Sequence, residues 1–348
     1  MKGFEIRGKG DVGLRYDVPM PKLGMNEALI KIKYCGICGS DTHQYHTGIN
    51  LQSGGKPYIL GHEFVGTVVE SNDDGNVLYK IGDIVTGRPF FSCGVCDNCR
   101  NGRESICDNV KLMTLAKDGN GAYAEYAKLP SKVIFPLRKD IDLKVAALSE
   151  PLAVAMFDVR MSNFKPGQSA FISGGGVIGA LIGIYCRFIG ASSVVFSEVN
   201  HNRIKFLESL GFTAFNPAKE DVLEKAIKTN NGRLFDAVFE VCGVQESYDL
   251  CLKACRRGGM YMFVGVTTTP KSFNVRHVLV SQITIKGVNM YETSDYYQAV
   301  QLINSKKLEG QLKPFITDIY PLEQAYEAYM YAMSKEGKHV KVLIDCDS

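Results

Sequence analysis

The sequence predicts an α/β protein, with a doubly wound parallel sheet in its second half beside a mainly β first half. Three observations carry this. From Lys165 onward, apolar runs at about 169–173, 193–197, 212–215, 235–241, 260–265 and 283–287 alternate with helix-like segments such as 222–228 and 247–255, as strands joined by crossover helices do. After the first of these strands comes Ser173-Gly174-Gly175-Gly176-Val177-Ile178-Gly179, a G-x-G-x-x-G opening a helix-like run that continues through Ile189. Before residue 150 the pattern is different: short alternating or β-branched runs at 28–33 and 63–69 are punctuated by Gly and Asp.

The chain of 348 residues is long enough for two or three domains and a full hydrophobic core. Residues 1–150 read as one domain and 151–287 as the doubly wound one. The tail, 288–348, with expected helices at about 295–309 and 322–334 and a strand at 340–344, has no complete core of its own. It is expected to fold back onto the first domain.

Hydrophobic residues make up 45% and charged residues 22%, which excludes a disordered chain. Forty Lys and Arg against 37 Asp and Glu leave a net charge of +3, and the basic residues are scattered, so neither nucleic acid nor a membrane surface is an expected partner. The longest apolar stretch, 174–186, is shorter than the roughly 18 residues of a membrane span. The first residues mix charge with apolar side chains and lack the core of a signal peptide. A cytoplasmic, reducing location is therefore expected, where the eleven cysteines read as ligands or buried thiols.

The clearest motif is Cys93-Gly-Val-Cys96-Asp-Asn-Cys99 followed by Cys107. Four thiolates at this spacing can close a tetrahedral shell around Zn2+, leaving no open position and hence a structural role. A ferredoxin-type iron–sulfur run begins the same way but continues with three residues and Cys-Pro. Here Cys107 lies eight residues after Cys99 and precedes Asp108, which favours zinc.

Upstream lie Gly36-Ile-Cys38-Gly-Ser40-Asp41-Thr-His43 and Gly61-His62-Glu63. Cys, His and carboxylate can supply three ligands and leave a fourth position open, as a catalytic zinc requires. A redox pair, Cys35-Gly-Ile-Cys38, is the competing reading, but it needs its own βαβ unit and leaves His62-Glu63 unexplained.

In the glycine motif, Gly174 allows a tight turn, Gly176 lets the backbone approach a pyrophosphate, and Gly179 permits close helix–sheet packing. Glu198 ends the next strand, where a carboxylate accepts from a ribose hydroxyl and repels a 2′-phosphate, so NAD is expected ahead of NADP. Arg203, five residues later, is the cation that opposes this inference.

In order along the chain, residues 36–43, 61–63, the four-Cys loop, 118–126 (Asp-Gly-Asn-Gly-Ala-Tyr-Ala-Glu-Tyr), 150–155 (Glu-Pro-Leu-Ala-Val-Ala) and Lys165-Pro-Gly167 resemble the landmarks of the zinc-dependent medium-chain alcohol dehydrogenases. The likeness runs nearly end to end. Glu150-Pro-Leu-Ala-Val-Ala and Gly39 resemble the polyol and threonine dehydrogenase branch more than the ethanol branch, where a zinc-ligating Cys stands in place of Glu150.

The resemblance implies a GroES-like catalytic domain beside a Rossmann domain. It implies catalytic zinc on Cys38 and His62, with Glu150, Glu63 or both completing the shell. Zinc would lower the pKa of an alcohol for hydride transfer to nicotinamide. Ser40 would take the hydroxyl proton and pass it towards His43, with Glu63 a further member of the catalytic set, and Asp41 would either orient a zinc-bound His or simply cap its turn. Gly174, Gly176, Val177, Ile178, Gly179, Glu198, Arg203, Val264 and Val266 would bind the cofactor, in a homodimer or homotetramer.

A secondary alcohol of a small polyol-like molecule and its ketone is the expected substrate pair, and the polar run Gln44-Tyr45-His46 agrees with it. Short-chain alcohols or butanediol, L-threonine, and a non-catalytic NAD-binding role are the alternatives. Two departures bear on the choice. Met290 stands where sorbitol dehydrogenases carry Arg before Tyr291, and Gln44 replaces the Tyr after the relay His.

Overall fold

A computed structural model describes residues 1–48, 55–115, 121–267, 269–334 and 337–348. Residues 118–120 of the 118–126 landmark lie outside the described residues. The chain divides into two compact units, Met1–Ala153 with Tyr291–Ser348, and Val154–Met290.

The first unit is mainly β. Its seven-stranded sheet runs Ile134–Pro136, Ile84–Gly87, Glu63–Asn72, Glu27–Gly36, Lys341–Asp345 and Ile316–Pro321, with Tyr126–Pro130 also paired to Glu27–Gly36. The strand Glu27–Gly36 is the hub, antiparallel to Glu63–Asn72, Tyr126–Pro130 and the terminal strand. It meets three partners because residues such as Ala28, Ile30 and Ile32 are fully buried, so its register is set by the core.

The tail shares this core. Leu322, Ala325, Tyr329, Val342 and Ile344 belong to the same buried cluster as Phe4, Ile30, Phe64 and Tyr123. Each large apolar side chain so buried contributes roughly 1.5–3 kcal/mol.

The second unit is a six-stranded parallel sheet in the order Thr213–Phe215, Ser193–Ser197, Ser169–Ser173, Phe235–Glu240, Cys255–Phe263, Thr284–Gly287. The order steps outward from the first strand in both directions, as in a doubly wound fold. Its central strand Ser169–Ser173 is buried at every position, which explains its lack of alternation in the sequence.

Two expected elements differ. The helix expected at about 295–309 ends at Asn304, and a short helix, Glu309–Leu312, follows, because Lys306 takes a left-handed φ of 59° that breaks the run. The fifth strand begins at Cys255, directly after the helix Gln245–Ala254, and ends at Phe263, so Val264 follows it. Among the described residues no helix is long and apolar enough to cross a membrane.

Candidate active site and metal centres

Ligand atoms of Cys38, His62 and Glu63 lie within 4.8 Å of one another. Sheet and helix meet to place them. Cys38 is the N-cap of the helix Gly39–Thr47, and Glu63 begins the strand that pairs with Glu27–Gly36, Glu63 standing opposite Gly36. Thiolate, imidazole and carboxylate so gathered are a donor set suited to zinc.

Asp41, in the first turn of that helix, is fully buried beneath them. One of its oxygens accepts from the Tyr123 hydroxyl at 2.6 Å and the Cys38 N–H at 3.3 Å, while the other faces His62 Nδ1 at 3.4 Å. The Tyr329 hydroxyl donates to the Asp41 carbonyl at 2.5 Å. A carboxylate at Nδ1 favours the tautomer whose Nε2 is free to bind a metal.

Glu150 stands outside the 4.8 Å group, in the first turn of the helix Ser149–Met161. The buried Tyr291 hydroxyl donates to its Oε1 at 3.0 Å. Burial, reinforced by Glu63 against the pull of His62, pushes its carboxyl up to about 7. Glu63 itself is held by a residue that the sequence reading missed. Lys341 Nζ donates to both Glu63 oxygens, at 2.9 and 2.6 Å.

Ser40 and His43 are both exposed and lie three residues apart on the helix Gly39–Thr47, hence on one face. Two residues of the polar run after His43 have partners within the fold. Gln44 accepts from the Tyr58 hydroxyl, the Tyr45 ring packs 6.3 Å from Tyr329, and His46 is exposed.

Cys93, Cys96, Cys99 and Cys107 form the second group, with all four sulfurs within 4.8 Å of one another. Two of the separations, Cys93–Cys99 and Cys96–Cys107, are 4.0 Å, close to the roughly 3.8 Å edge of a Zn–thiolate tetrahedron. The Cys93 and Asn109 N–H groups donate to Cys107 Sγ, and those of Val95 and Cys96 push the Cys93 thiol down to about 6. The loop is clamped through Ser105, whose N–H and hydroxyl both donate to Glu292, and through Glu104, which takes the buried Arg88 and Thr293.

In the second unit, Gly174 adopts φ +109°, and a Cβ on Gly179 would fall 1.9 Å from the Gly174 carbonyl, so the turn admits no side chain there. Gly176 caps the helix Val177–Phe188, and Gly176, Val177 and Ile178 are partly exposed at its N-terminus, where backbone N–H groups attract a phosphate. Glu198 is buried, accepting from the Gly175 and Asn200 N–H groups at 2.7 and 2.8 Å. Arg203 stands 4.0 Å from it. The Val264 N–H donates to the Glu240 carbonyl, and Val266 is exposed. A glycine cradle with a carboxylate at the next strand end fits a dinucleotide.

A mainly β unit with two thiolate-containing metal centres and a parallel-sheet unit with a dinucleotide loop define a zinc-dependent dehydrogenase. Residues 24–139 match the model of the alcohol dehydrogenase GroES-like domain, and residues 177–305 that of the zinc-binding dehydrogenases. The chain is 33% identical over 322 residues, 92% of each chain, to a 2-dehydro-3-deoxy-L-galactonate 5-dehydrogenase of Pseudoalteromonas atlantica. It is 31% identical to an L-threonine 3-dehydrogenase of Pectobacterium atrosepticum, across 95% of this chain and 90% of that one. The 2R,3R-butanediol dehydrogenase of Bacillus subtilis superposes with a TM-score of 0.89 over 99% of both chains at 27% identity. The chain belongs to the zinc-dependent medium-chain alcohol dehydrogenase family, in its polyol and threonine branch.

Proposed function

We propose that the chain uses NAD to interconvert the secondary alcohol of a small, polar, polyol-like molecule with its ketone. The observation that carries this is the convergence of Cys38, His62 and Glu63, with Asp41 behind His62. The relative named for a sugar-acid derivative supports the substrate class. Zinc on these residues supplies Lewis acidity towards the substrate oxygen, and nicotinamide supplies the hydride acceptor. Ser40 takes the hydroxyl proton, and His43, on the same helix face, carries it towards solvent. Glu198 receives the adenosine ribose and disfavours a 2′-phosphate.

Cys38→Ser tests the reading. It is expected to bind one zinc fewer than the parent and to form no NADH from NAD and polyols. Unchanged zinc content and turnover would refute it.

A short-chain alcohol or diol is the second reading. It is supported by the half-buried Met290 and by the similarity to the butanediol enzyme.

We infer a homodimer or homotetramer. The strand Thr284–Gly287 ends its sheet, and the neighbouring helix Val275–Ser281 exposes Val275, Leu279 and Val280. An edge strand beside an apolar helix face is a pairing surface for a second copy. Light scattering of Leu279→Arg is expected to show a smaller species, and an unchanged mass would contradict this surface.

A further inference from the structure

We propose that Lys341 is a positioning residue that keeps Glu63 a weak metal ligand. The inference rests on the reading of Cys38, His62 and Glu63 as a zinc site.

Lys341 opens the terminal strand, 278 residues from Glu63 in sequence, and only 4% of it is exposed. Its ammonium has three donors, and three contacts are present: the Ile37 carbonyl at 3.0 Å and the two Glu63 oxygens at 2.9 and 2.6 Å. A single ammonium therefore spans the fork of the carboxylate. Glu63 is 1% exposed, so no bulk water competes for it. Nor can the carboxylate move away easily. A Cβ on Gly36 would fall 2.3 Å from Glu63 Oε2 and 3.3 Å from Lys341 Cδ, so both side chains lie flat against that glycine.

Charge-assisted hydrogen bonds in a buried setting draw electron density from the carboxylate oxygens. A carboxylate shared with an ammonium on both oxygens donates less to a cation beside it, and the ammonium also repels that cation. Removing Lys341 while the fold survives therefore strengthens Glu63 as a ligand and tightens metal binding. A merely structural role has the opposite sign, because losing a support loosens the site.

The test measures zinc content and zinc Kd, by competition with a chelator, on the full-length protein. Cys38→Ser first establishes the site: if it loses no zinc relative to the parent, the site reading fails and the proposal with it. With the site established, Lys341→Gln keeps a donor for the Ile37 carbonyl and removes the charge. Its zinc Kd is expected to fall at least about tenfold. Lys341→Arg is expected to stay within about threefold of the parent, and Lys341→Gln is expected to have no effect when Glu63→Gln is also present. An unchanged or weaker zinc Kd in Lys341→Gln, or the same tightening without the Glu63 carboxylate, overturns the proposal. Should Lys341→Gln not fold, Glu63→Gln alone decides. The proposal expects less than about a tenfold loss of zinc affinity, and a loss of a hundredfold or more overturns it.

Discussion

Asp41 and His62 face each other at 3.4 Å, and the Asp41 oxygen that points at the imidazole has no other hydrogen-bond partner among the described residues. A fully buried carboxylate oxygen left to one imidazole nitrogen makes sense as the group that fixes the ring for a metal on its far side. Asp41→Asn is therefore expected to lower zinc affinity at this site, and kcat/KM with it, by about 10–100-fold. Chelator competition and steady-state kinetics check this. Parent-like values in both would show that Asp41 only caps its helix.

The four-Cys loop and the Cys38, His62 and Glu63 group together predict two zinc ions per chain in the parent protein. Cys99→Ser opens that shell and is expected to leave one zinc and a lower melting temperature, because the metal contributes directly to stability. Metal analysis and calorimetry decide. A mutant with both metals and parent-like melting would contradict the structural assignment.

Glu198 anchors the Gly175 and Asn200 N–H groups at the end of its strand. In the proposed reading it also receives the adenosine ribose. Glu198→Ala is expected to raise KM for NAD at least about tenfold and to narrow the preference for NAD over NADP. Kinetics with both cofactors test this. A parent enzyme with higher kcat/KM for NADP would mean that Arg203 dominates the local field.

Glu104 couples the four-Cys loop to Arg88 and, through Thr293, to the tail. Its carboxyl lies below the usual range because these partners outweigh the effect of burial. The sign follows from linkage. A depressed folded-state pKa gives stability that is present above the ordinary carboxylate pKa and is lost as pH falls through the folded value. Glu104→Gln is expected to cost about 1–2 kcal/mol at pH 7 and less at about pH 3, below the ordinary carboxylate pKa. Urea unfolding at the two pH values checks this, and an equal cost at both would contradict the ionic role.

Much of the fold was legible in the sequence. The strands Ser169–Ser173 and Ser193–Ser197 match the expected runs because each is a short apolar segment bounded by Gly or polar residues. The four-Cys loop was legible for a local reason, since its ligands lie within fifteen residues. Long-range pairings were not. Nothing near Lys341 in sequence marks it as buried, and its partner is 278 residues away. The same distance problem hid the Tyr291 bond to Glu150 and the Ser105 bonds to Glu292. The partners of the run Gln44-Tyr45-His46 were not legible either, because polarity alone does not show which way a helix turns. The packing of Tyr45 on Tyr329 settles its orientation.

The most direct test of the account is a comparison of kcat/KM with NAD for sorbitol, xylitol, hexitol phosphates and threonine against 2-butanol and 2,3-butanediol. The account predicts that a sugar alcohol or its phosphate leads, ahead of threonine and of the short aliphatic alcohols. If the aliphatic alcohols lead by more than about tenfold, roughly 1.4 kcal/mol of transition-state discrimination, the polyol assignment is contradicted and Met290 is the better guide to the substrate.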